Sequence, residues 1–413
     1  MNNHWLGPHT GIKANVALTV CSRILMAGCS LITHIITARF LGPEGRGEFF
    51  FVITLAGIFA QFGNFGLHAS NTYWVARDSS LLGGLLANSF WLSLLSGGLA
   101  LGAAGLSQVF HFFPGVPARQ LWMAAALAPL TLFYLLGVNL YVGAHRFKAF
   151  NFFETANRLA GCAALAMAAW MSGKVFQFLG AFWIAGLMVA LLLFISLYRQ
   201  YGTGLGFNKT LFMKGFYYGL KAYLVGLLGF LITQSSILLL QQLSGSREVG
   251  YYSIAFNTGS MLGILPASLA LVLFPRLVAE NSRGREMTMR NTALMGGLMS
   301  VVCLLAFVLA KPLIRIFFGP EFQPAVPVLY WMLPGILLAS MVNILSQYLA
   351  AKGFPWILAG VWGAGFLLAV GLSLILIPPY YGIGAAISVS ATWAFLLAAH
   401  FLLVRRESFG RKA

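Results

Sequence analysis

Along the chain, apolar runs of about 20–30 residues alternate with short joints that hold the charged residues and several Gly-Pro pairs. The runs fall near 14–39, 48–74, 81–110, 120–143, 150–172, 175–198, 213–242, 250–275, 291–318, 325–350, 355–378 and 382–404. At about 1.5 Å rise per residue, a helix of each such length reaches across the ~30 Å hydrocarbon core of a bilayer. The pattern predicts an all-α polytopic membrane protein with about twelve transmembrane helices.

Two short stretches recur. FLGPEGRGEFF at 40–50 is similar to LSGSREVGYYS at 243–253, and YVGAHRF at 141–147 is similar to YLAAKGF at 348–354. The first pair lies 203 residues apart and the second 207, so both report one duplication of six spans. An even number of spans makes the repeats parallel, related by a pseudo-two-fold axis along the membrane normal. The expected lobes are residues 1–200 (helices one to six) and 213–413 (helices seven to twelve), joined by a linker at 201–212. A substrate cavity is expected on the axis between them.

Composition agrees with this reading. The chain is 59% hydrophobic and 8% charged, with a mean hydropathy of +0.84, whereas soluble domains carry about 25% charged residues. The most hydrophilic joints, around Arg199–Lys214 and Arg276–Arg290, are short, which excludes a separate soluble catalytic domain. Lysine and arginine number 26 against nine acids, a net charge of +17. Such an excess would suggest nucleic acid in a soluble protein, but here it sits in short loops. With the N-terminus inside, eighteen basic residues fall on the inner side and seven on the outer, which sets both termini in the cytoplasm. Nucleic acid is therefore not an expected partner. Cys21, Cys29, Cys162 and Cys303 lie inside apolar runs without a CxxC pair or a His cluster, and are read as small core residues. No cofactor or metal is expected. Met1–Thr10 lacks the basic n-region and cleavage site of a secretory signal, so the first run is expected to be retained.

The polar residues within the spans carry what chemistry there is. All nine acids fall in or beside the joints, which argues against a cation-binding antiporter that relays protons or sodium on buried carboxylates. The first span instead holds Arg23, which costs about 2.5–3.5 kcal/mol at membrane depth. Ser30, His34 and Thr37 lie on the same helical face. Arg23 either snorkels to the inner headgroups or lines a cavity. In the second span Gln61, Asn64, His68 and Asn71 step along one face, as helix–helix glue or as contacts for a hydroxyl-rich ligand. The seventh span sets Lys214, Tyr217 or Tyr218, Lys221, Ser235 and Gln242 on one side, and the eighth sets Ser253, Asn257 and Ser260. Lys221 is either a second cavity cation or an inner-interface lysine. Arg276 reads first as a positive-inside residue. Asn343 and Gln347, four apart in the tenth span, either face the interior or pack. Pro129, Pro266 and Pro334 fall within spans as candidate kinks.

Two embedded cations without buried acids favour an anion, and Arg and Lys bind phosphate oxygens well. Amides and hydroxyls suit sugars, and the apolar flanks suit a lipid tail. An anionic lipid with a diphosphate and a glycan head meets all three demands.

ARFLGPEGRGEFFFVITLAGIFAQFGNFGL at 38–67, VGYYSIAFNTGSMLGILPASLALVLFPRL at 249–277 and FFGPEFQPAVPVL at 317–329 resemble the polysaccharide transporter family, which includes O-antigen and exopolysaccharide flippases. The resemblance runs from Ser22 to Arg406. It implies a two-lobed fold similar to that of multidrug and toxin extrusion (MATE) antiporters and lipid II flippases. It also implies a non-enzymatic, alternating-access protein of the bacterial inner membrane that moves a polyprenyl-diphosphate-linked glycan for O-antigen, capsule or exopolysaccharide synthesis. Ser22-Arg23 resembles the first-helix serine-arginine pair of lipid II flippases, which implies a diphosphate contact for Arg23. The first-helix aspartate of many multidrug antiporters is missing here. Membrane lipids and glycan-assembly proteins are candidate partners, and the chain is expected to act as a monomer. The rival readings are a drug/cation antiporter with His34 or His68 as proton site, a membrane glycan polymerase or ligase, and a non-transporting scaffold. The polymerase or ligase would need a base or metal-binding acid on a sizeable loop, which the chain lacks.

Overall fold

The structure is a computed structural model; it describes residues 11–406 apart from 114, 172, 203, 264–265, 267–283 and 352–355, and not the side chains of 11–21, 24, 221 and 406. Among the described residues the chain is all-helical: α1 Gly11–Asn64, α2 Leu67–Arg77, α3 Leu82–Val109, α4 Ala118–Gly143, α5 Phe147–Trp170, α6 Val175–Tyr201, α7 Lys209–Ser244, α8 Ser246–Leu262, α9 Gly284–Phe317, α10 Ala325–Ala351 and α11 Trp356–Arg406. Among the described residues eight helical stretches are long and apolar enough to cross a membrane, and two of these, Leu25–Asn64 and Trp356–Arg405, are of double length. Each double stretch contains a break, α1 at Gly42 (φ 65°, ψ −177°) and α11 at Tyr381 (φ 52°, ψ −130°). Divided there, the eight stretches make ten, each on an expected span; α5 lies on the span expected at 150–172, and α8, described to Leu262, on the start of the one expected at 250–275.

Both breaks have local causes. Gly42 takes a conformation that only glycine adopts without strain, and Pro43 follows it. In α11, Pro378 and Pro379 remove two backbone donors ahead of Tyr381. The restarted helix is then met by Glu248, whose Oε2 accepts from the Gly382 N–H at 3.2 Å.

Packing divides the chain into two compact units. The first comprises Met1–Phe40, Phe59–Leu106 and Leu121–Leu220, and the second Leu41–Ile58, Ser107–Gln120 and Lys221–Ala413. In the first unit the core gathers Leu82, Leu86, Leu140, Tyr141, Leu193 and Leu197, all nearly inaccessible. Tyr141 stacks on Phe153 at 5.7 Å and its hydroxyl meets Ser196 Oγ at 2.6 Å, so its polar tip is satisfied within an apolar setting. The 201–212 segment is tied to α3. Asn88 Nδ2 donates to Asn208 O (2.9 Å) and Asn208 N–H donates back to Asn88 Oδ1 (2.7 Å), while Trp91 Nε1 donates to Leu205 O. Asn208 Oδ1 also accepts from Leu211 N–H at 3.0 Å, capping α7. Outside the spans, the Asp78 carboxyl is held below its usual range by hydrogen bonds from the Ser80 hydroxyl and N–H.

The second unit is built on α9, α10 and α11 around Met299, Ile344, Leu345, Leu349, Leu396 and Val404. Pro334 lies inside α10. Just after it, Ser390 Oγ accepts from Gly335 N–H (3.1 Å) and donates to Trp331 O (2.7 Å), tying α11 to α10 beside the proline. The residue after the proline must be small for this, since a Cβ at Gly335 would stand 2.6 Å from Ser390 Oγ.

Also in the second unit, the repeated motif crosses its copy. Gly245 (φ 83°, ψ 177°) matches Gly42 in conformation. A Cβ at Gly47 would stand 1.7 Å from Ser246 O, and one at Gly250 would stand 1.9 Å from Pro43 O. Gly47 and Gly250 are equivalent in the repeat, as are Pro43 and Ser246, so the contact is reciprocal, as a two-fold relation requires.

Candidate functional site

In the first unit the expected polar residues occupy α1 and the start of α2. Arg23 is exposed on α1, and Ser30 and His34 are half-buried. Thr37 is fully buried, and its hydroxyl donates to the Thr33 and His34 carbonyls of its own helix, at 2.8 and 3.2 Å. It thereby leaves the polar stripe and serves the backbone.

Gln61, Asn64, His68 and Asn71 do not lie on one continuous helix. Phe65 (φ 46°) and Gly66 (φ 76°) interrupt it, and the row straddles the break. Asn64 Nδ2 meets His68 Nδ1 at 2.8 Å, and Asn64 Oδ1 accepts from the His68 backbone N–H at 3.3 Å, so the pair bridges the interruption. Helix α7 crosses it closely: a Cβ at Gly219 would stand 2.8 Å from Gly66 O, and one at Gly215 would stand 2.8 Å from Ser70 Oγ. Two glycines four apart thus let the backbones approach. Asn71 is buried and donates to Ser89 Oγ at 3.0 Å, a helix–helix bond. Gln61 and His68 are half-buried.

One carboxylate lies deeper than the charge pattern suggests. Helix α5 begins at Phe147, so Glu154 sits two turns inside it, half-buried, and accepts from the Tyr134 hydroxyl at 2.7 Å. The basic residues just before Phe147 made the joint look longer than it is.

In the second unit, Asn343 and Ser260 line one cavity of about 350 Å³, together with Thr233, Tyr252, Trp362 and Trp393. Asn257 is half-buried one turn before Ser260 and accepts the Ser260 hydroxyl on its carbonyl at 2.8 Å; its Nδ2 has no partner among the described residues. Gln347 and Ser235 are half-buried, and Gln242 is exposed. Ser253 is fully buried and serves Arg46 instead of a cavity, accepting from Arg46 Nε at 3.1 Å. Arg46, which the charge pattern assigns to an outer loop, is 1% exposed. Its guanidinium also lies 5.7 Å from the centre of the Phe50 ring. Lys221 lies on α7 but its side chain, like all of Arg276, is outside the described residues. Lys214 and Tyr217 are exposed, and Tyr218 stacks on Tyr73 at 4.2 Å. Among the described residues no cluster of His, Cys, Asp or Glu could hold a metal ion.

Long apolar helices, two of them of double length and broken within, define a multi-pass membrane protein. The chain belongs to the family described as Polysaccharide biosynthesis protein, which it matches over residues 12–280. Among solved structures it is similar to the lipid II flippase MurJ in an inward closed conformation, at TM-score 0.72 and 13% identity, covering 94% of this chain and 87% of that one. It is likewise similar to an inward-facing multidrug resistance MATE transporter of the MOP superfamily, at TM-score 0.73 and 14% identity over 92% and 94% of the two chains. A third is a MOP transporter from Pyrococcus furiosus with a binding pocket of reversed polarity, at TM-score 0.66 and 16% identity over 97% of each chain. No curated protein matches the chain by sequence. The fold and the family are those that the resemblance implied.

Proposed function

We propose that the protein is a flippase that moves a polyprenyl-diphosphate-linked oligosaccharide across the bacterial inner membrane by alternating access, for O-antigen, capsule or exopolysaccharide synthesis. The observation that carries the reading is membership of a polysaccharide-synthesis family by a chain whose fold is that of lipid and drug exporters. A family concerned with glycan assembly and a fold similar to that of a lipid flippase support export of the lipid-linked product as the task of this chain. It is not an enzyme in this reading. The six-plus-six lobes 1–200 and 213–413 move against each other, and both termini are cytoplasmic.

Arg23 and Lys221 are the diphosphate contacts. In this reading a guanidinium and an ammonium stabilise the phosphate oxygens. Gln61, Asn64 and His68 supply neutral hydrogen-bonding groups for sugar hydroxyls. The glycan is committed from the cytoplasmic side and its tail stays in lipid throughout, so only the polar head crosses.

The test is reconstitution in liposomes with a fluorescent polyprenyl-diphosphate oligosaccharide, following whether the label becomes reachable from the opposite leaflet. Arg23→Ala is expected to lower that rate at least tenfold while the protein stays in the membrane. Normal flipping by a well-expressed Arg23→Ala variant removes Arg23 from the mechanism. The likeness to a MATE transporter favours one second reading, a cation-coupled drug antiporter. Dye uptake driven by a pH gradient and abolished by His34→Ala or His68→Ala would support it over the flippase.

A further inference from the structure

The cavity of about 350 Å³ in the second unit has a lining of one character. Tyr252, Phe256, Trp362 and Trp393 give it aromatic walls, and Thr233, Ser260, Ser340, Asn343 and Ser346 supply neutral polar groups. Among the described lining residues none is an acid or a base, so those residues offer no counter-charge to a diphosphate or a coupling cation.

The polar groups are unevenly satisfied. Thr233, Ser260 and Ser340 donate to carbonyls of their own helices and keep acceptor lone pairs. The Tyr252 hydroxyl, the Trp362 indole N–H and the Ser346 hydroxyl have no hydrogen-bond partner among the described residues. Tyr252 is 0% and Trp362 8% exposed. Buried polar groups left without partners are costly, so three in the wall of one cavity call for an occupant that hydrogen-bonds. Trp362 stands edge-to-face between Trp393 (5.8 Å) and His400 (5.6 Å), which holds its ring in place.

We propose that this cavity is a sugar subsite, binding a neutral pyranose with apolar substituents, such as an acetamido or deoxy sugar, as part of the glycan the flippase carries. The inference rests on the flippase reading for the sugar's source, but the pocket's chemistry stands by itself. Aromatic rings accept the C–H face of a pyranose, the mixed donors and acceptors match ring hydroxyls, and the aliphatic wall at Ile336 and Val389 receives a methyl group. The volume corresponds to about a dozen waters, room for one such ring. A plain hydrocarbon chain would leave the tyrosine and tryptophan donors unmet.

The experiment uses the purified full chain with its four cysteines replaced by serine and Ser346→Cys added, and reads the rate of thiol labelling. Methyl N-acetylglucosaminide at millimolar concentration is expected to slow labelling, whereas glucuronate, inorganic phosphate and octanol are not. Tyr252→Phe and Trp362→Phe are each expected to weaken that protection about tenfold. Tyr252→Phe should leave thermal stability equal or higher, because it deletes an unpartnered hydroxyl. Protection by no sugar means a cavity holding water only and overturns the proposal. Protection by octanol as strong as by the glycoside makes it a hydrocarbon pocket and overturns it too. Sugar protection in a chain that fails the liposome assay keeps the subsite and removes the flippase reading instead.

Discussion

Two copies of one motif, 40–50 and 243–253, share a backbone and differ in almost everything their side chains do. Gly42 and Gly245 hold the same extended, positive-φ conformation, and Gly47 and Gly250 press onto each other's segments through reciprocal contacts. Between these fixed points, Arg46 is buried against Ser253 while its counterpart Val249 is an ordinary core residue, also fully buried. Glu44 and its counterpart Arg247 are both exposed, with opposite charge. The halves therefore retain glycine wherever a Cβ would collide or strain the chain. They diverge wherever a side chain need only fill space or meet water.

The strongest way to break that equivalence is to add one methyl group at the crossing. Gly250→Ala and Gly47→Ala each place a carbon within 2 Å of a backbone oxygen, at 1.9 and 1.7 Å. The helices must separate, at a cost of about 3 kcal/mol or more. Thermal unfolding in detergent should drop sharply for both, and about equally. Gly98→Ala, where the added carbon meets nothing within 4 Å, is the control and should be neutral or mildly stabilising. A fall no larger than the control's would mean the crossing is looser than the reciprocal contacts require.

The second break is at Arg46. Arg46→Ala deletes a large buried side chain and leaves Ser253 without its donor, which should cost about 3 kcal/mol, more than Val249→Ala at the equivalent place. Arg46→Met keeps most of the volume and removes the buried cation, and should restore much of the loss. Equal melting temperatures for Arg46→Ala and Val249→Ala would show that the arginine is no more than filler.

These particulars also explain what the sequence could reveal. The spans were legible because hydropathy over some twenty residues needs no knowledge of neighbours, and the repeat was legible because its glycines are irreplaceable. The break at Phe65–Gly66 was not, because it depends on α7 closing over it with Gly215 and Gly219. The burial of Arg46 was hidden for the same reason: its partner Ser253 lies 207 residues away. Trp362 and Trp393 read as ordinary span residues, and only the meeting of α8, α10 and α11 makes them a wall. Of the expected site, the structure describes Arg23, the Gln61–His68 row and Asn343 in their separate units, while Lys221 and Arg276 lie outside the described side chains.

A third comparison sharpens the shared backbone. Gly42→Ala and Gly245→Ala each force an L-residue into a region that is essentially glycine-only, at about 1–3 kcal/mol. A Cβ at Gly42 has only the far end of Glu321 in reach (3.7 Å), and one at Gly245 meets nothing. Strain alone is therefore measured, and the two losses should agree. Unequal losses would mean that one half holds its turn through contacts the other lacks.

The smallest expected effect separates the two arginines. Arg247 donates from Nε to the Tyr251 hydroxyl at 3.0 Å and is exposed, with Glu44 and Glu248 nearby. In Arg247→Ala, water takes over the hydroxyl and the nearby acids lose only a screened attraction, so stability should change little, less than in Arg46→Ala or in the glycine variants of the crossing and the turns. That small effect should shrink further as salt is raised, because exposed charges are screened over about 8–10 Å. The effect of Arg46→Ala should not change with salt, because that guanidinium acts inside the packing. Two residues two positions apart in the motif, read by the same melting experiment at two ionic strengths, thus report whether a charge serves the interior or the surface. A salt-dependent loss at Arg46 would place it in the same class as Arg247 and remove the contrast between the copies.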